Sequence, residues 1–431
     1  SQGTLRLKPG DTTTVYAVTN SGFYRSSDSG STFIQITTGL PESSSRLLLD
    51  VTPANANYSY ILSARNDGDM QGIYRSTDGG TTWAKTSSNE SSSGDVFESS
   101  QAWYDLALAV SPTNANEIYT GCLNVWKSTD GGVSVSKVNN WSSPAAPSYT
   151  HADIHYLGFH GNKLYCGSDG GIYVSSNGGT NFTDLTAGVQ ISQFYKIAVA
   201  KQTSANMVGG LQDNGGHAYS GSQWKNYYGA DGMDTAINPT NQNQYYGFIQ
   251  NGSSMYISNT AGNGISSSVS SPGGASGNWV TPLMANNSGE LFSGFAGLYK
   301  LVGGAWVQQN TTSLGTGNLE LIHVDPSNDN IMYVANGSGL YKSTNGGVNF
   351  TNVYNAPGNI TSIEVHSTNS SIVYLTTAGT GGQVLKSTDG GITWNTTGLS
   401  FFDSDTFAGD IIIHPTNSNM LWVATNLGIY R

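Results

Sequence analysis

Short apolar runs alternate with polar turns along the whole chain, and the runs keep a period of two. In Leu106-Ala107-Leu108-Ala109-Val110 the apolar stretch ends at the polar turn Ser111-Pro112-Thr113-Asn114-Ala115-Asn116. A second run, Ile118-Tyr119-Thr120-Gly121, and a third, Asn124-Val125-Trp126-Lys127, follow. After a glycine-rich turn comes a fourth. Runs of four to eight residues bounded by turn residues predict β-strands, and no helical period competes with them.

The glycine-rich turn is itself a repeat. Tyr74-Arg75-Ser76-Thr77-Asp78-Gly79-Gly80-Thr81-Thr82-Trp83 returns around Asp28, Asp130, Asn177, Asn345 and Asp389, with degenerate copies near Trp224, Ser258 and Trp306. Serine and aspartate accept nearby backbone N–H groups, and paired glycines supply positive φ. The aspartates at 28, 78, 130 and 389, with Asn177 and Asn345, are therefore expected to be structural. The basic residue before the turn (Arg25, Arg75, Lys127, Lys300, Lys342, Lys386) is expected to belong to the same framework. Aligning the strands predicts an all-β chain of ten four-stranded units of about 43 residues. They span roughly 3–41, 45–88, 104–139, 151–187, 193–229, 232–272, 278–313, 317–355, 358–398 and 409–431. First strands are expected to begin near Thr4, Arg46, Tyr104, Asp153, Phe194, Met233, Trp279, Leu319, Thr361 and Gly409. Such units repeated radially make a β-propeller. The units suit one ten-bladed ring or a seven-bladed propeller with part of a second. The stop at Arg431, inside a third strand, favours the second arrangement and a longer protein.

The turn resembles the Asp-box (BNR) repeat shared by sialidases, xyloglucanase-type glycoside hydrolases and sortilin. The segments Gln101–Pro112, His151–His155, Gly209–Gly215 and Gly229–Asp234 are also similar to those of large secreted Asp-box proteins of Gram-negative bacteria. Those proteins commonly carry a type IX secretion sorting domain, not found among these residues. The resemblance implies a propeller fold and a secreted or outer-surface location, and little about chemistry.

Charge narrows the partners. Only 10% of the 431 residues are charged, the net charge is -11, and lysine and arginine never cluster. Nucleic-acid backbones and anionic membranes need clustered positive charge, so neither is an expected partner. No apolar stretch approaches a membrane span. A glycan or an extracellular protein fits a surface dominated by Ser, Thr, Asn, Gly and Tyr. A sialidase is excluded by counting: its site needs three converging arginines, and none lies between residues 76 and 430.

Candidate chemistry is expected on the rim opposite the repeated turns. First-strand starts carry Asp105, His151 and Asp153, with Asp231 just before one. Asp169, Gln212, Asp213 and Asn214 fall in loops between second and third strands, and Asp234 follows close by. Two carboxyls about 5 to 10 Å apart suffice for a glycosidase, which makes Asp105, Asp153, Asp213 and Asp231 candidate acids. His151, Asp153 and His155, two residues apart on a strand, would share a face and could bind calcium or a transition metal. A hydrogen-bonded polar plug between blades fits the same residues. Trp103, Trp224, Tyr227 and Tyr228 could stack on sugar rings or pack blade edges. His323, His366 and His414, near first-strand ends, are read as structural. Cys122 and Cys166 sit on adjacent second strands with matching parity, so a disulfide and two buried thiols are both open. A binding propeller, a glycoside hydrolase and a structural component of a surface assembly all remain open.

Overall fold

The computed structural model describes residues 3–20, 22–86, 99–189, 192–379, 382–397 and 407–431. The expected unit ends at 87–88 and 398 lie outside them. The described residues form nine four-stranded sheets and one three-stranded sheet, each antiparallel with its strands in chain order. The chain divides into two compact units, residues 1–190 and 191–431.

In the first unit the opening strands of the four sheets are Thr4–Lys8, Arg46–Val51, Ala107–Val110 and Ile154–His160. Each of the first three lies against the opening strand of the next sheet. In the second unit the six opening strands are Phe194–Val199, Gly232–Ile237, Leu283–Ala285, Leu321–Val324, Ile360–Val365 and Ala408–Ile413. These six line one cavity of about 450 Å³. Sheets stacked side by side with their first strands innermost are propeller blades. The all-β architecture of four-stranded antiparallel units is the one the strand pattern predicts.

Apolar cores lie between consecutive blades. Tyr60, Leu62 and Ile73 of the second blade pack with Leu106, Leu108 and Ile118 of the third. Phe248 and Met255 of the sixth meet Leu283, Leu291 and Phe295 of the seventh. Alternation supplies these contacts, because each strand turns every second side chain towards a neighbouring blade.

The recurrent turn is a hydrogen-bond device. Ser26 Oγ donates to Asp28 Oδ1 (2.7 Å) and accepts the Gly30 N–H (2.9 Å), while Asp28 also accepts the Thr32 N–H (2.9 Å) and hydroxyl (2.6 Å). The serine and glycine halves recur at Ser128/Gly132, Ser175/Gly179, Ser343/Gly347 and Ser387/Gly391. Hydrogen bonds from Ser26 and Thr32 hold the exposed Asp28 carboxyl down at about 2. Two of the basic residues before the turn reach the next blade, Arg25 Nε donating to Gly79 O (3.0 Å) and Lys342 Nζ to Gly390 O (2.8 Å), while Lys127 and Lys300 pair with Glu117 and Glu290 of their own blades. In the seventh blade Gly303 and Gly304, both at positive φ, replace the turn with a two-residue hairpin.

A second link joins blades at their inner strands. A side-chain acceptor on one first strand takes a backbone N–H from the first strand of the next blade. Asp50 Oδ2 accepts from Val110 (2.9 Å), Asp234 Oδ2 from Leu283 (3.0 Å), His323 Nε2 from Val365 (3.3 Å) and Glu364 Oε1 from Ile413 (3.5 Å). Burial pushes the His323 imidazole down to about 4, which keeps it neutral and able to accept. His366 and His414 act locally, their Nδ1 atoms accepting the N–H groups of Thr368 and Thr416 in the polar turns (3.2 Å each).

Two first strands begin three or four residues later than expected. The third starts at Ala107, because Tyr104 and Asp105 donate their N–H groups to Gln101 O in a turn (2.7 and 3.1 Å). The seventh starts at Leu283, after Pro282, which has no N–H to give a ladder.

Candidate functional site

In the first unit, the turn ahead of the third blade gathers several predicted residues. Arg46, on the neighbouring inner strand, holds this turn by donating to the carbonyls of Tyr104 (2.8 Å) and Ala102 (3.4 Å). Gln101 then places its amide nitrogen between two acids, donating to Asp105 Oδ2 (2.9 Å) and to Asp153 Oδ1. Two carboxyls bridged by one nitrogen lie well inside the roughly 10 Å that glycosidic hydrolysis tolerates. Their exposure differs, however. Asp105 is fully buried, while Asp153 is partly open.

Burial dominates the titration of this pair. It pushes Asp105 up to about 6, against the hydrogen bonds from Gln101 and Cys122, and it raises Asp153 as well. Cys122 donates its thiol to Asp105 Oδ1 (3.1 Å), and burial beside that carboxyl raises the thiol far above its ordinary range. Cys122 and Cys166 are both buried free thiols, so no disulfide joins the two blades.

The outer layer is aromatic. Trp103 exposes 67% of its surface, with Tyr104 beside it at a ring-centroid distance of 5.7 Å. The Tyr104 hydroxyl donates to Asp169 Oδ2 (2.8 Å), and the tyrosine ring stands edge-on to His155 (4.8 Å). His155 Nε2 lies 2.8 Å from Asp169 Oδ1, and that carboxylate raises the imidazole pKa. Asp169 thus holds a tyrosine and a histidine in fixed positions.

The expected alternation of His151, Asp153 and His155 on one strand face is not found. The strand begins at Ile154, Asp153 sits at φ 63°, and the register shifts between Ile154 and Tyr156. A left-handed residue followed by a bulge breaks the period of two. His151 Nδ1 lies 3.2 Å from its neighbour Ala152 O, and His155 turns to Asp169.

The second unit builds a related cluster from the loops of its first two blades. Gln212 Nε2 donates to Asp231 Oδ1 (2.7 Å) and Asp213 Oδ1 (3.0 Å), and the Asp213 N–H reaches the same Asp231 oxygen (2.9 Å). Asp213, like Asp153, has positive φ (60°). Asn214 serves the turn, donating to Gln212 O (3.0 Å). Two further residues complete the cluster, and the sequence reading did not single them out as site residues. Tyr195 donates its hydroxyl to Gln212 Oε1, and Trp279 Nε1 donates to the Tyr195 oxygen (3.0 Å). Their exposure was the missing signal, since both stay open to solvent in spite of their size.

The remaining candidates sit elsewhere. Asp234 is on an inner strand, with both oxygens taken by backbone N–H groups of Thr235 (2.8 Å) and Leu283 (3.0 Å). Trp224 packs on Phe194 and Tyr219, with centroids 5.3 and 5.4 Å away. Tyr227 and Tyr228 are buried, which removes them as sugar platforms.

Gln101→Leu keeps the side chain's bulk and removes both donors. It is expected to lower stability by about 1–3 kcal/mol, because the buried Asp105 loses the donor to its Oδ2. Urea denaturation at pH 7 measures it.

No family model matches the chain, and neither does any curated protein. Among solved structures it is similar to a GH74 enzyme of Niastella koreensis (16% identity, 97% of this chain and 68% of that one, TM-score 0.32). It is similar to a GH74 xyloglucanase from Xanthomonas campestris (14%, 99% and 84%, TM-score 0.33). Sqt1 of Chaetomium thermophilum, bound to the N-terminus of ribosomal protein L10, gives 11%, 75% and 95%, with a TM-score of 0.45. At such identities and scores a likeness carries nothing about a site.

Proposed function

We propose that this chain is a secreted Asp-box propeller that binds carbohydrate through the Trp103 site of its first unit, without hydrolysing it. The observation that carries the reading is the division of labour there. The exposed groups are the flat rings of Trp103 and Tyr104, the second held by Asp169, and Asp105 and Asp153 are occupied by internal hydrogen bonds. A sugar ring offers an apolar C–H face to an indole and hydroxyls to neighbouring acceptors, the usual composition of a ligand site. Hydrolysis would need two carboxyls reaching one glycosidic bond, and the fully buried Asp105 is out of a substrate's reach. The weakly charged surface suits a neutral glycan better than a polyanion.

The test is binding to an array of α- and β-linked hexasaccharides, followed by titration calorimetry with the strongest binder. Trp103→Ala is expected to weaken binding at this site by about 10- to 100-fold, the loss typical of a central aromatic anchor. Product analysis after long incubation should show the hexasaccharide intact. Cleavage abolished by Asp153→Asn would overturn the reading in favour of a hydrolase.

A further inference from the structure

We infer that the second unit carries its own carbohydrate-binding site, centred on Trp279 and chemically equivalent to the Trp103 site. The inference rests on the proposed function and extends it to a second set of residues.

The hydrogen-bond chain in this cluster has only one direction. Indole N–H is a donor only, so Tyr195 oxygen accepts from Trp279 (3.0 Å). The Tyr195 hydroxyl proton must then go to Gln212 Oε1. This fixes the Gln212 amide with its nitrogen towards Asp231 Oδ1 and Asp213 Oδ1, which both accept from it (2.7 and 3.0 Å). Five side chains from four separate segments are therefore arranged so that one indole is pinned by its edge.

Packing alone does not account for that arrangement. Trp279 remains 45% exposed and Tyr195 38% exposed, so the relay orients rings whose faces stay in water. An exposed tryptophan that served only to fill a gap would need no hydrogen-bonded support at its N–H. Orientation of a large ring at low conformational cost is what a binding platform requires. Asp213 and Asp231 set the ligand's charge. They disfavour anions and offer acceptors to hydroxyl groups, which points to a neutral hexopyranose chain. The first unit repeats the scheme with other residues: Gln101 bridges Asp105 and Asp153, and Asp169 pins Tyr104 beside the exposed Trp103. In this scheme Trp279 touches the sugar, whereas Tyr195 and Gln212 are positioning residues.

The experiment is titration calorimetry of the whole chain with the array-selected hexasaccharide, read as stoichiometry. The wild type should bind two molecules. Trp279→Ala and Trp103→Ala should each bind one, and the double variant none at concentrations tenfold above the wild-type Kd. Tyr195→Phe removes only the relay hydroxyl, and it should weaken one of the two sites about fivefold while leaving the other unchanged. Trp279→Tyr should restore part of the lost affinity, which a purely structural role would not produce. One molecule per wild-type chain, lost in Trp103→Ala and unaffected by Tyr195→Phe, would overturn the second site and leave the first standing. No binder anywhere on the array would overturn both.

Discussion

Gly210→Ala is expected to destabilise the second unit by about 3 kcal/mol or more, near the upper end of what overpacking costs. A β-carbon at this position would lie 2.0 Å from Met233 O and 2.5 Å from Met233 N. Those atoms are backbone, so no rotamer change relieves the contact. The strand Asn206–Leu211 would have to move away from the inner strand Gly232–Ile237, where a β-carbon on Gly232 would in turn lie 2.8 Å from Leu211 N. This close approach of glycines brings Gln212 to Asp231, so displacing it should also abolish binding at the Trp279 site. Gly229→Ala is the control. Its added carbon would meet nothing within 4 Å, at an ordinary φ, and its effect should stay within about 0.5 kcal/mol. Urea denaturation of both variants separates the outcomes, and a Gly210→Ala protein as stable as the wild type would refute the packing account.

Glu364→Gln should act in the opposite direction, and only at higher pH. Burial in the cavity wall pushes the Glu364 carboxyl up to about 7 from an ordinary 4.5, and the charge of Asp410 adds to the effect. The folded state therefore prefers the protonated acid. Its contribution to stability is complete below about pH 4.5, where both states are protonated. That contribution is lost as pH rises from 4.5 to about 7. At pH 8 the folded chain holds a charge it solvates poorly, at a cost of up to about 3 kcal/mol. Glutamine keeps the oxygen that accepts from Ile413 and carries no charge. The variant should match the wild type near pH 4 and exceed it by up to about 3 kcal/mol at pH 8. Denaturation midpoints across that range provide the check; equal curves at both ends would show that water or a cation reaches Glu364. Asp105, raised to about 6, should contribute a similar loss between about pH 4 and pH 6.

Much of the fold was legible because its rules are local. A strand's alternation, a polar turn and the Ser-x-Asp-x-Gly device each occupy fewer than a dozen residues. Repetition then made a weak signal certain, and strand counting predicted the four-stranded units. Some of the candidate site was legible for the same reason: Gln212, Asp213 and Asn214 are unusual residues in a loop that a repeat would otherwise keep bland. Other expectations failed where one backbone detail mattered. A shared face for His151, Asp153 and His155 needs an unbroken strand, and a single residue at positive φ with a following bulge removes it.

The amino-acid sequence by itself determined the architecture: short strands, the turns that join them and a surface poor in charge. Only the tertiary structure decided which polar residues share a site and which are spent on holding blades together. Asp105 and Asp153 look alike along the chain, yet one is sealed and the other partly open. Asp234 resembles Asp231, but both its oxygens are used by backbone N–H groups. Trp279 and Tyr195 stand 84 residues apart and meet through one hydrogen bond. The physical reason is that secondary structure follows from near neighbours, whereas burial and hydrogen-bond partnership in a propeller depend on the next blade, some forty residues away.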